Sequence, residues 1–353
     1  MRSFIFVTAT VALVALAAAA GAGELEGIKD PVTLNGAGAS FPFPLYSKWV
    51  SEFNKIHPKV RINYQSIGSG GGIKQISEQT VDFGGTDAFM KDDALAKLGG
   101  KLHHIPTTIG AVGVTYNLKG APAGLKLSGD VLAGIYLGEI KRWNDPRITG
   151  LNAGVDLPAD EIRVVHRSDG SGTSAVFTDY LSKVSPAWKE KVGAGTSVSW
   201  PAGLGAKGNE GVTGQVKTTP SSIGYVELAY AVQNNLPYAT LKNRAGAFVE
   251  PRLESISAAA ASVPMPDDFR VSITDAPGGE AYPIAAFTWI LVYEAQKDRG
   301  RGLSLASFLQ WAVRDGQKFG AALHYAPLPA EVVTKVEAKL RALSFDGKPL
   351  LAK

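Results

Sequence analysis

The sequence predicts an α/β protein of two domains. Short β-branched or alternating runs lead into Gly-containing turns, and apolar residues at helical spacing follow; this unit begins near residues 32, 60 and 162. At 353 residues, the chain is longer than one hydrophobic core usually organises. Its balance of 45% hydrophobic and 19% charged residues is that of a globular protein, with neither a disordered nor a fibrous bias.

Residues 1–22 stand apart from the fold. Arg2, an apolar Val/Leu/Ala run and small residues of Ala-x-Ala character around Ala18 to Ala22 read as a secretory signal, cut near Ala20 or Ala22. The chain holds no cysteine, so export without disulfides is expected, and no lipoprotein anchor can form. The natural compartment is a bacterial periplasm. Without Arg2 the balance is 35 basic to 32 acidic residues, too mild for dedicated nucleic-acid binding.

The first unit is Val32-Thr33-Leu34-Asn35, then Gly36-Ala37-Gly38-Ala39-Ser40-Phe41, then a helix presenting Phe43, Tyr46, Trp49, Val50, Phe53 and Ile56. Pro58 ends it. In the second, Val60, Ile62 and Tyr64 alternate, Gly68-Ser69-Gly70-Gly71-Gly72 reads as a turn, and Ile73 starts a helix. Four glycines around one serine cost backbone entropy and make sense where bare backbone wraps a ligand. Val81-Asp82-Phe83 then leads into Gly84-Gly85-Thr86-Asp87. His103-His104 reads as a strand-edge pair.

The third unit, Ile162 to Leu181, holds the densest chemistry: His166-Arg167-Ser168-Asp169-Gly170-Ser171-Gly172-Thr173-Ser174. Arg167 offers a permanent planar cation, Asp169 can steady it, and the helix start offers hydroxyls and free N–H groups. An ordinary capped turn would look similar in isolation. Three such turns in one chain point instead to an oxyanion held largely by neutral donors. Asp87 is the exception. It reads either as the cap of a helix near Asp92 or as a filter, because a carboxylate accepts hydrogen bonds but donates none. Phosphate keeps a proton at neutral pH and satisfies such an acceptor; sulfate does not. Toward the C-terminus, residues 257–266 read as a loosely packed surface segment, and residues 305–342 as two helices joined through Pro327-Leu328-Pro329.

These motifs, with Trp143-Asn144-Asp145, the loop over residues 203–211, Ile223-Gly224-Tyr225-Val226-Glu227 and Tyr325-Ala326-Pro327-Leu328-Pro329, resemble the phosphate-binding protein of bacterial phosphate ABC transporters almost end to end. The resemblance implies a two-domain type II periplasmic binding protein with ligand in the cleft and a two-strand hinge. Domain I would be residues 23–107 and 283–353, and domain II residues 108–282, crossing near Pro106 and returning near Pro283. It also implies roles. Ser40, where relatives often carry threonine, gives hydroxyl and N–H; Phe41 gives an N–H; Ser69 gives a hydroxyl; Asp87 accepts the phosphate proton. Arg167 is the only charged donor, held by Asp169, and Ser171, Gly172 and Thr173 complete the shell. The implied partner is an inner-membrane permease, with the protein itself a monomer that needs no cofactor. His166 stands where relatives can carry a second basic residue, and is expected to play no part in binding.

A hydrolase is the rival class. Ser171, His166 and Asp169 match a triad by type, but the turn lacks a nucleophile elbow. The five histidines show no metal-ligand spacing. A binding protein for another tetrahedral oxyanion, such as sulfate or molybdate, is disfavoured by Asp87.

Overall fold

A computed structural model describes residues 28–351. The segment read as a secretory signal lies outside them, and no described helix is long and apolar enough to cross a membrane. Eight strands form one curled sheet: β1 (Val32–Gly38), β2 (Val60–Ser66), β3 (Phe83–Thr86), β4 (Leu102–Asn117), β5 (Arg163–Arg167), β6 (Leu204–Ala206), β7 (Ser222–Glu227) and β8 (Ala285–Tyr293). Their order is β2-β1-β3-β8-β4-β7-β5-β6. β1 pairs in parallel with β2 and β3 on one side, and β5 in parallel with β6 and β7 on the other. Near-continuous apolar strands such as β7 and β8 are what burial on both faces of a sheet requires.

β4 joins the two halves. Its first residues, 102–111, pair with β8, and residues 112–117 pair with β7. One strand of 16 residues, buried along nearly all its length, thus serves both.

Helix α1 (Phe43–Ile56) starts with Pro44 in its first turn, where the missing N–H costs nothing, and stops before Pro58. Its buried stripe is Leu45, Tyr46, Trp49 and Phe53, while Ile56 lies outside the core. Trp49 gives its indole N–H to the Gly316 carbonyl at 2.7 Å, which ties this helix to the C-terminal part of the chain. Burial of each such side chain contributes about 1.5–3 kcal/mol.

Several expectations need correction. The glycines at 70–72 are not a turn: helix α2 (Ser69–Ser77) begins at Ser69 and contains them. Close approach explains the composition, since a Cβ on Gly72 would lie 2.6 Å from both Gly38 Cα and the Gly85 carbonyl. Of the segment expected to be loose, residues 257–261 belong to a helix, Leu253–Ala261, that buries Ile256, Ala259 and Ala260, while residues 262–266 are irregular. Its alanine run is the strongest of helix formers, and the Ser255 hydroxyl bonds the Arg252 N–H at its start. His103 and His104 lie in β4 where only β8 flanks it, and both are buried. His103 meets Glu294 at 2.8 Å, and His104 Nε2 accepts the Met90 N–H at 3.0 Å. Burial pushes the His104 imidazole down to about 3, so it stays neutral and able to accept. The C-terminal helices run Arg299–Val313 and Ala330–Leu340, with two short 3-10 turns between them.

Candidate functional site

β1, β3 and β5 end at one place, and helices α2 and α3 (Gly172–Val184) begin there. Strand ends and helix starts of a parallel layer share an edge, so the polar residues just past them converge by topology. Ser40, Phe41, Ser69, Asp87, Arg167, Ser171 and Thr173 are all 4% exposed or less.

One wall is made by Ser40, Phe41, Ser69 and Asp87. The Ser69 hydroxyl accepts the Asp87 N–H at 3.1 Å and lies 3.4 Å from Asp87 Oδ2. Asp87 Oδ1 accepts from the Thr288 hydroxyl at 2.7 Å. Burial pushes the Asp87 carboxyl up to about 7, against the opposing pull of Thr288, the Arg167 charge and Ser69. Asp87 caps nothing: the Asp92–Leu95 helix has Lys91 at its cap. Ser40 is not a cap either. Pro42 occupies that position of α1, and the Ser40 hydroxyl bonds Asn209 instead.

The other wall centres on Arg167. Its Nε and Nη2 donate to the two Asp169 oxygens at 2.8 and 2.6 Å, a two-pronged pair that leaves Nη1 toward Thr173 Oγ1 at 3.3 Å. At Asp169, burial opposes ionisation, but the Arg167 hydrogen bonds and charge prevail and hold its carboxyl below the usual range. Asp169 also accepts the Gly208 N–H at 3.1 Å. Ser171 caps α3 by accepting the Ser174 N–H at 3.0 Å, and its own N–H goes to the Thr196 carbonyl. Only its hydroxyl proton is left to offer. Gly172 and Thr173 open α3, so no helical carbonyl can accept their N–H groups.

The walls touch. Gly70 gives its N–H to the Gly170 carbonyl at 2.8 Å. A Cβ on Gly172 would stand 2.3 Å from Ser69 Oγ and 2.4 Å from Asp87 Oδ2. Tyr230 gives its hydroxyl to the Ser40 carbonyl at 2.7 Å. His166 takes no part in the walls: it stacks on Trp200 at 4.8 Å, with Nδ1 3.0 Å from the Arg167 carbonyl.

The structure thus brings together Ser40, Phe41, Ser69, Asp87, Arg167, Asp169, Ser171, Gly172 and Thr173, and leaves His166 outside the walls. Sequence reading missed Asn209, Thr288 and Glu227. Asn209 and Glu227 fall inside motifs noted above, but nothing in those motifs marks which residue faces the site. Thr288 is one more β-branched residue in a strand. Glu227 is fully buried, accepts from the Tyr325 hydroxyl at 2.9 Å and the Ala229 N–H at 2.9 Å, and is pushed well above its ordinary pKa by burial.

A sheet shared by two halves, with buried donors and one carboxyl facing each other across their junction, defines a two-domain substrate-binding protein. Residues 18–315 match the PBP superfamily domain. Phosphate-binding protein PstS of Xylella fastidiosa is 48% identical over 310 residues, covering 87% of this chain and 84% of that protein. The PstS of Pasteurella multocida is 48% identical over 323 residues, 90% of this chain and 93% of its own. The chain belongs to this family of phosphate-binding proteins, which serve transport and are not enzymes. A solved phosphate-binding protein from Stenotrophomonas maltophilia shares the fold, with a TM-score of 0.65 at 20% identity over 87% of this chain and 93% of that one.

Proposed function

We propose that the protein binds inorganic phosphate in the periplasm and hands it to an inner-membrane ABC permease for import. Residues 23–107 with 283–353 form one domain and 108–282 the other, and the two strands β4 and β8 carry the chain between them as a hinge. The ligand sits between Ser40, Phe41, Ser69 and Asp87 on one side and Arg167, Ser171, Gly172 and Thr173 on the other. Residues 1–22 direct export and are removed, and the mature protein works as a soluble monomer without a lipid anchor or cofactor.

Asp87 carries this reading. Its carboxyl is buried among hydroxyls and faces a cup of donors, so its charge opposes any anion. Only a ligand that gives it a proton turns that repulsion into a hydrogen bond. Phosphate and arsenate have that proton; sulfate lacks it. Arg167, already paired to Asp169, adds direction more than net charge. The Arg–Asp pair and the helix N-termini hold an anion by oriented dipoles, with little need for a countercharge.

Isothermal titration of the purified protein at pH 8 tests the reading. Phosphate should bind, arsenate should compete and sulfate should not. Absence of phosphate binding, or sulfate binding as tight as phosphate, would overturn it.

A further inference from the structure

Asn209 is the second residue of α4 (Gly208–Thr218), fully buried, and it touches both walls. Its side-chain Nδ2 donates to Ser40 Oγ at 2.8 Å and to Thr173 Oγ1 at 3.1 Å. Its backbone N–H also reaches Ser40 Oγ, at 3.2 Å. The amide orientation is set by the Glu227 N–H, which donates to Asn209 Oδ1 at 2.9 Å; a flipped amide would face donor with donor.

A hydroxyl has two lone pairs and one proton. Ser40 Oγ accepts twice, from the backbone and the side chain of Asn209. Thr173 Oγ1 also accepts twice, from Asn209 and from Arg167 Nη1. With both lone pairs engaged, each hydroxyl has only its proton left to offer. The geometry points to Asn209 as a positioning residue that turns the Ser40 and Thr173 hydroxyls into obligate donors toward the anion and couples that orientation to the meeting of the walls. This rests on the phosphate reading above and extends it. A carboxylate at Asn209 would do the reverse, because it would draw those protons to itself. An acceptor-only pocket floor is thereby excluded at two of the hydroxyl positions, and Asp87 becomes the sole acceptor the ligand meets among these side chains. Selection for one proton on the ligand then needs both features: Asp87 to receive it, and Asn209 to keep the facing hydroxyls from competing as acceptors.

The test is a double-mutant comparison read by phosphate titration. Asn209→Ala and the isosteric Asn209→Asp are each made in the wild type and in a Ser40→Ala/Thr173→Val background. Asn209→Asp keeps the acceptor for the Glu227 N–H. In the wild type, each should weaken phosphate binding by about tenfold or more, the size expected for charged hydrogen bonds that lose their donors. In the background lacking both hydroxyls, Asn209→Ala should change affinity less than about threefold, because no hydroxyl remains to orient. Asn209→Asp should there retain only its charge repulsion, and so lose less than in the wild type. Equal losses in both backgrounds would mean that Asn209 acts through packing or charge alone, and would overturn the inference. Failure of the wild type to bind phosphate would instead overturn the functional reading beneath it.

Discussion

Asp87 on one wall of the cleft and Arg167 on the other are both buried, yet only Arg167 has its charge answered. Arg167 is locked by two hydrogen bonds to Asp169 and adds one more contact to Thr173. Asp87 has hydroxyl partners, Thr288 and Ser69, and burial pushes its carboxyl up to about 7. The first wall is therefore adjustable by one proton near neutral pH, whereas the second is held by the Arg167–Asp169 pair, whose carboxyl lies below its usual range. On the reading proposed above, the contrast shows how an anion site can discriminate without much charge: the constant wall would hold the anion, and the titrating wall would ask whether it brings a proton.

The contrast depends first on how close the walls come. Gly172 is one of the points where they meet, and Gly172→Ala should be the most damaging single change. The added methyl would lie within 2.4 Å of both Ser69 Oγ and Asp87 Oδ2 and force the walls apart. Several hydrogen bonds to the ligand would be lost together, so phosphate affinity should fall about a hundredfold or more. Thermal stability should fall as well, by the ~1–3 kcal/mol typical of overpacking a buried site. Calorimetric binding and a thermal melt on one preparation check both halves. Retained affinity would mean that ligand binding does not depend on the close approach at Gly172.

The titrating wall is tested by sulfate. Above pH 7 Asp87 is mostly ionised and repels sulfate; as pH falls through about 7 it gains a proton and can donate to a sulfate oxygen. Apparent sulfate affinity should therefore drop about tenfold per pH unit above 7 and level off below it, as expected when only the protonated fraction is competent. Phosphate should hold over the same range, because it can supply the proton itself. In Asp87→Asn, sulfate binding should become flat with pH. Competition titrations at pH 5.5, 7 and 8.5 decide this; sulfate binding independent of pH in the wild type would remove the proton from the mechanism.

The constant wall is tested by Arg167→Ala, which should cost about tenfold in phosphate affinity at every pH from 6 to 8.5, in line with ~1.5–3 kcal/mol for a charged hydrogen bond. Asp169 would be left buried without its partner, so Arg167→Ala/Asp169→Ala should bind better than the single variant. If the double variant binds no better, the pair is not acting as a unit.

Most of this contrast could be read in the chain, and the reason is local. Gly-rich turns, hydroxyls at helix starts and an arginine two residues before an aspartate are all short-range patterns, so Ser40, Ser69, Asp87 and Arg167 to Thr173 stand out without a structure. Thr288 and Asn209 do not, because their roles arise from pairings 201 and 169 residues away in the chain. The glycines of α2 were misread for a related reason. Four glycines argue for a turn by propensity, and packing against Gly38 and Gly85 overrides that preference. The helix over Leu253–Ala261 was missed in the opposite way: small residues that look like loose surface become a buried helix face once a sheet covers them.

His166 offers the smallest expected effect and the sharpest limit on the fixed wall. It is the residue next to Arg167, at the end of β5, where alternation turns its side chain to the other face of the strand. There it stacks nearly parallel on Trp200, with 13° between the rings, and its Nδ1 lies 3.0 Å from the Arg167 carbonyl. A half-buried ring held this way can steady the strand end, but it has no line to the ligand. His166→Ala should therefore change phosphate affinity less than about twofold, within the range of substitutions away from a site. The same small change should appear at pH 5.5 and at pH 8. A protein lacking His166 that loses more than about twofold in affinity would show that the ring reaches the ligand through the Arg167 carbonyl it touches, and the second wall would then extend one residue beyond Arg167.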